Sequence, residues 1–504
     1  MLWLSERSMA IKNISTSVVK SSAWLGFANI VVNVLAFIST LILARLLTPD
    51  DFGLIALAST FVALAETFTS VQISSALINF KRVTNAHLNT AWTLGALRGL
   101  LLAIVIALLA FPLSALYEDG RLTGVMLILA LITFFRCLTN PKYVFFEKEL
   151  SYSREFVIMV VMKLLSVVAA GVLAYLYQTY WALIAGTAFA GLSRVILSYW
   201  FVPFLPRVSL SKVREIWAFT GWLTLGSALD AINSNIDTLI IGATLTASQL
   251  GAYRVGNDLA QKPTKEVLDP LRRPLFPAFA LFSDDKEKLA VSYRRTQYLL
   301  FALVFPFGAG FSVIAEPMVN LVLGERWSEA IFVIEVLAIN FALQSFVGPA
   351  ISLAFATGKT KAVFTRQLIF FAVRVPIVVA ALLLYGLPGL IVARFGTGLI
   401  NIVLNLYMVN HIIQLSPFRQ VSMCWRSLVS GLLMVFVVYQ ARETIHFDET
   451  VLEQSLGLLF FCLIGAIVYP ATHLALWLLA GRPLGAETEI LELARKILLR
   501  FKRA

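Results

Sequence analysis

The sequence predicts an all-α integral membrane protein of about fourteen transmembrane helices, arranged as two six-helix lobes around a central cavity plus two extra C-terminal helices. Three observations carry that reading. Hydrophobic residues make up 59% of the chain and charged residues only 14%, with a mean hydropathy of +0.83, whereas a soluble domain is about 25% charged. Apolar stretches of ~20 residues, the length that crosses a ~30 Å hydrocarbon layer, recur from end to end. The basic residues between them fall on alternate loops, as expected when Lys and Arg in short loops stay on the cytoplasmic side. The formal charge of +12 therefore reads as topology, and no basic run is interleaved with the exposed aromatics that a nucleic-acid surface would need.

The spans follow in order. The first, 20–46, starts after Lys12 and Lys20 and ends in a turn, 47–51, that carries no basic residue. The second, 53–78, returns to Lys81 and Arg82. Spans 90–115 and 122–145 are joined by the acidic turn 117–120 and lead to Lys148 and Arg154. Spans 155–177 and 180–202 meet at Gln178 and Thr179 and return to Arg207 and Lys212. Spans 214–243 and 249–280 meet at 244–249, and Lys286 to Arg295 follow. Spans 293–316 and 328–357 are joined by 324–327 and followed by Lys359 to Arg366. Spans 360–385 and 388–413 share the Tyr-Gly-Leu-Pro turn 385–388 and end before Arg419. Spans 420–440 and 452–479 are joined by 442–450 and run into a basic tail. The asymmetry holds across every hairpin, so an even number of helices with both termini in the cytoplasm is expected.

The chain also repeats itself at an offset of 198 residues: Trp24-Leu25 pairs with Trp222-Leu223, Thr40 to Ile42 with Thr238 to Ile240, Leu47-Thr48 with Leu245-Thr246, and Gly53 with Gly251. Both stretches have the same orientation, which implies a parallel repeat about an axis along the membrane normal, with a substrate cavity at the interface. The expected organisation is an N-terminal lobe over 1–210, a C-terminal lobe over 211–415, two added helices over 416–480 and a tail over 481–504. In that tail Ile490, Leu491, Leu493, Ala494, Ile497, Leu498 and Phe501 share one helical face, which suits an inner-leaflet anchor or, alternatively, a helix that binds a cytoplasmic partner. No removable signal peptide is expected. Cys137, Cys424 and Cys462 show no metal or redox spacing and read as core or lipid-facing residues.

Ionisable groups inside spans cost roughly 2.5–3.5 kcal/mol each on insertion scales, so each needs water, a partner or a function. The eighth span carries Arg254, Asp258, Lys262, Lys265, Asp269 and Arg272 at three- and four-residue spacings, one stripe down one helical face. Excess basic charge there is what an anionic substrate requires, and Arg grips phosphate oxygens in pairs. The competing reading is that the opposite signs satisfy one another along the helix, with Pro263 and Pro270 marking a shorter span. Arg98 and Arg136 are further basic candidates for the cavity wall, as are Lys163, Arg194, Arg374 and Arg394; snorkelling to an interface is the alternative for each. Asp230 and Asp237, with Asp258, are candidates for coupling to H⁺ or Na⁺; pairing of Asp230 and Asp237 with Arg254 or Lys262 is the equal alternative.

No phosphate loop, zinc-protease or nucleophile-elbow motif is present, and the four histidines are scattered, so no catalysis, cofactor or metal is expected. At residues 43–54 the chain reads Leu-Ala-Arg-Leu-Leu-Thr-Pro-Asp-Asp-Phe-Gly-Leu, which resembles bacterial polysaccharide exporters and Wzx-type oligosaccharide flippases. Asn235-Ile-Asp237, Leu250 to Tyr253 and Leu275-Phe-Pro277 resemble the second-lobe pattern of the same family, and the resemblance covers essentially the whole chain. The family sits in the multidrug/oligosaccharidyl-lipid/polysaccharide exporter superfamily. The resemblance implies a flippase of the inner membrane that carries undecaprenyl-pyrophosphate-linked repeat units of O-antigen, capsule or exopolysaccharide to the periplasmic leaflet. It would act as a monomer beside enzymes of the same pathway. A drug/cation antiporter of that superfamily and a lipid II flippase are the rival readings.

Overall fold

The computed structural model describes residues 29, 31–69, 77, 83–143, 145, 152–272, 274–422, 424–445 and 450–482, with the side chains of 152–154, 214 and 216–230 left aside. The expected tail therefore lies outside the described residues, as does the start of the first span. Among the described residues there is no strand. The principal helices are α1 (Val31–Leu46), α2 (Pro49–Phe68), α3 (Asn85–Leu116), α4 (Arg121–Cys137), α5 (Tyr152–Tyr177), α6 (Trp181–Phe201), α7 (Val213–Thr244), α8 (Ala247–Arg272), α9 (Lys286–Val313), α10 (Ser328–Gln344), α11 (Thr360–Ile413), α12 (Trp425–Thr444) and α13 (Val451–Leu479). Eight stretches among the described residues are long and apolar enough to cross a membrane: α2, α3, Glu155–Tyr177 of α5, α6, α9, Glu325–Ala356, α11 and α13. Their outward faces are studded with exposed Leu, Ile, Val and Phe, as lipid rather than water would require.

The chain divides into two compact units, Met1–Gly251 and Ala252–Ala504. In the first, α5 packs on α6, α3 on α4, and α2 on α7. The start of α2 shows why its sequence reads as it does. Thr48 caps the helix: its hydroxyl accepts from the Asp51 amide (3.3 Å), while the Asp51 carboxylate accepts from the Thr48 amide (3.0 Å) and hydroxyl (2.7 Å). Pro49 occupies the first turn, where its missing N–H costs nothing. The helix thus begins at Pro49, and the turn expected over 47–51 shrinks to two residues. Asp50 reaches Arg121 (2.7 Å), which also grips Asp119, so the turn before α2 and the turn between α3 and α4 are tied together. Gly53 lies against the backbone of Ala247, and a Cβ there would stand 1.8 Å from the Ala247 carbonyl oxygen. Gly251 has the reciprocal contact, 1.8 Å from the Pro49 carbonyl oxygen. The two contacts interchange under the 198-residue shift seen in the sequence.

In the second unit α9 packs on α10 and α12, α10 on α11, and α12 on α13. Tyr293, Phe279 and Met408 help close one core cluster, and Phe301, Phe305 and Phe346 another. Two expected spans are broken. The stretch 249–280 stops at Arg272 and resumes behind Pro274 as the short helix Leu275–Ala280. The stretch 328–357 changes from α10 to a 3₁₀ turn at Ser345–Val347 and then to the helix Ala350–Ala356 behind Pro349. The expected turn at 385–388 is a sharp break inside α11, where Gly386 takes φ 63°, ψ −153°, a conformation open to glycine alone.

Candidate functional site

α8 runs unbroken through Pro263 and Pro270, so the charged stripe lies on one continuous helix. Its first part satisfies itself: Arg254 Nε meets the Asp258 carboxylate at 3.3 Å. Its last part does something different. Lys265, Asp269 and Arg272 line a cavity of about 290 Å³ in the second unit, with Gln344 from the end of α10 and Arg366, Asn401 and Asn405 from α11. Three cations face this space against one carboxylate. Lys262, on the same stripe, is half-buried and outside the lining.

A chain of amides builds the cavity wall. Arg366 Nη1 donates to Asn401 Oδ1 (2.7 Å), and Asn401 Nδ2 donates to Gln344 Oε1 (3.1 Å). Gln344 Nε2 donates to Asn340 Oδ1 (3.2 Å), whose own Nδ2 reaches the Arg394 carbonyl (3.4 Å). Asn405 Nδ2 closes onto the Asn401 carbonyl (2.7 Å). Arg394 donates to Asn257 Oδ1 (2.7 Å) and to the Tyr253 hydroxyl, with the rings of Tyr253 and Phe341 each 5.9 Å from its guanidinium carbon. These amides sit in an apolar helix pair that gives them one another as partners, which fixes the rotamers around the cations. Arg366 was not among the sequence candidates because it follows Lys359 and Lys361 in a stretch that reads as a cytoplasmic loop. The four-residue spacings of Asn340 with Gln344 and of Asn401 with Asn405, inside apolar spans, are the signal that could have found the site.

The other candidates are placed as follows. Arg98 donates to the Glu66 carbonyl (2.7 Å) and to Thr69 Oγ1 (3.3 Å), so it closes the C-terminus of α2, where unpaired carbonyls and the helix dipole favour a cation. Arg136 meets Glu66 at 3.5 Å and also lines a cavity of the first unit, described below. Asp237 is buried on α7, 3% exposed. The side chain of Asp230 lies outside the described residues.

Fold and cavity together define an all-helical, multi-pass membrane protein with a cation-lined cavity among its helices. It is similar in fold to the lipid II flippase MurJ in an inward closed conformation, with a TM-score of 0.70 at 14% identity over 91% of this chain and 99% of that one. Residues 42–332 match the family model described as polysaccharide biosynthesis protein, and the chain belongs to that family. It is 24% identical over 406 residues to the lipopolysaccharide biosynthesis protein WzxC of Escherichia coli (strain K12), covering 80% of this chain and 82% of the relative. It is likewise 24% identical over 441 residues to the succinoglycan biosynthesis transport protein ExoT of Rhizobium meliloti (strain 1021), covering 86% and 88%.

Proposed function

We propose that the chain is a flippase that translocates undecaprenyl-pyrophosphate-linked oligosaccharide repeat units, of O-antigen, capsule or exopolysaccharide, from the cytoplasmic to the periplasmic leaflet of the bacterial inner membrane by alternating access. Family membership supports the substrate class, and the cavity is the observation that carries the chemistry. A pyrophosphate brings several negative charges into a layer where even one costs kilocalories, and only fixed cations and hydrogen-bond donors offset that. Lys265, Arg272 and Arg366 supply the cations, and the Gln344, Asn401 and Asn405 amides supply donors and acceptors suited to sugar hydroxyls. Arg254 and Lys262 extend the stripe toward the other end of α8.

The same reading takes fourteen crossings with both termini in the cytoplasm, the two arms of α11 counted as two, and a single chain as the working unit. Asp230, Asp237 and Asp258 are the groups that would couple transport to H⁺ or Na⁺. The test is translocation of a fluorescent undecaprenyl-pyrophosphate oligosaccharide in vesicles. Lys265→Gln, Arg272→Gln and Arg366→Gln variants that still insert should each slow the initial rate about tenfold or more, the loss of one charge-assisted contact. An intact protein that moves no such lipid would overturn the reading.

A further inference from the structure

We propose that the first unit holds a second anion site, a cavity that binds a phosphate-class group through Lys163 and Arg194 with Arg136 at its edge. The cavity measures about 450 Å³ and is walled by α1, α2, α4, α5 and α6. Its lining includes Arg136, Lys163 and Arg194 and no carboxylate; Glu66, which meets Arg136 at 3.5 Å, lies outside it. Arg194 stands over the ring of Tyr143, 5.7 Å from its centroid, which orients the guanidinium without neutralising it. Of the lining hydroxyls, Thr40 and Thr187 donate to the carbonyls of Ala36 and Leu183 in their own helices. Ser39 and Ser166 are therefore the hydroxyls that can turn toward a ligand.

The case rests on charge and on correspondence. Arg136, Lys163 and Arg194 line one space whose wall carries no carboxylate, with Glu66 offsetting Arg136 from outside it, and a phosphoryl group, at about −1.5 to −2, matches such a cationic wall better than a chloride or a single sugar carboxylate. Counted from the paired turns at Gly53 and Gly251, α4, α5 and α6 correspond to α10 and the two arms of α11. The helices α10 and both arms of α11 contribute to the cavity in the second unit, and their counterparts α4, α5 and α6 contribute to this one, whereas α1 walls only the first and α8 only the second. A residue pattern that merely snorkels to the headgroups has no reason to recur as a walled cavity on corresponding helices. The two cavities differ in chemistry: amides dominate the wall in the second unit, hydroxyls and small residues such as Gly186 and Gly191 in the first. The first is suited to a bare phosphate and offers little to a sugar.

The site does not depend on lipid transport, and its test is separate. Thermal unfolding of the full chain in detergent would be followed with inorganic pyrophosphate and, in a parallel series, with undecaprenyl monophosphate, since a bound ligand raises Tm in proportion to its occupancy. The expected result is a rise in Tm with at least one of the two, an apparent Kd weakened about tenfold or more in Lys163→Gln and Arg194→Gln, and little change in Lys288→Gln, an exposed lysine outside both cavities. A response to pyrophosphate identifies a headgroup site open to free anions, and a response to the lipid alone identifies the lipid phosphate as its occupant. If neither ligand raises Tm, or if both variants respond as the parent does, the proposal fails. Should the variants not fold, labelling of Lys163 in the unaltered chain by an amine-reactive reagent decides: pyrophosphate or the lipid should protect it, and unchanged labelling overturns the site. A protein that moves no lipid yet shows this protection would refute the translocation reading while leaving the site standing.

Discussion

Gly398 shows how little room the amide network leaves. A Cβ there would stand 2.0 Å from Asn340 Oδ1, the atom that accepts from Gln344. Gly398→Ala should therefore cost about 1–3 kcal/mol and loosen the wall that positions Arg366, measurable as a lower Tm together with slower translocation. At the turn between α3 and α4, the side-chain bond from Arg121 holds the Asp119 carboxyl below its ordinary value of 3.8, against the opposing effect of burial. Its folded-state value is the lower one, so its stabilising contribution is present above 3.8 and disappears as the pH falls through the depressed value. The Tm difference between the parent and Asp119→Asn should be constant through neutral pH and close only in strong acid. The residues of the 43–54 motif were legible as a family resemblance before their work was visible. Thr48 and Asp51 cap, Asp50 pairs with Arg121, and Gly53 makes room for a neighbouring backbone.

At the level of elements, the sequence reading succeeded where the determinant is local. Apolar runs and alternating basic loops gave the positions of α2, α3, α5, α6, α9 and α13, because composition over ~20 residues decides insertion. It ran two spans on through the breaks that precede Pro274 and Pro349, since an apolar count is the same whether the backbone continues as one helix or restarts as a second. The break at Gly386 was legible because Tyr-Gly-Leu-Pro is turn chemistry inside an apolar run. Gly386→Ala forces a side chain into a glycine-only conformation and should cost about 1–3 kcal/mol. The variant should also shift the accessibility of a cysteine placed at Tyr385, measured with a membrane-impermeant thiol reagent in a background without native cysteines.

At the scale of the whole molecule, the basic stripe of α8 was legible and its division of labour was not. The spacing told that Arg254 and Arg272 share a face; only packing shows that one end of the stripe pairs within its helix while the other opens onto α11. Arg366 and Asn401, 35 residues apart, are joined by a fold that brings the two arms of α11 back together, and no local pattern encodes that. The contact between Pro49–Gly53 and Ala247–Gly251 has a further consequence. A contact that exchanges its two sides under a half-chain shift is isologous, the arrangement by which two identical subunits embrace across a two-fold axis. A single polypeptide here contains the kind of joint that a homodimer would use, and its two glycines are equivalent members of it. Gly53→Ala and Gly251→Ala should therefore fail alike, in yield of folded protein and in Tm, although one lies near the start of the chain and the other at its middle.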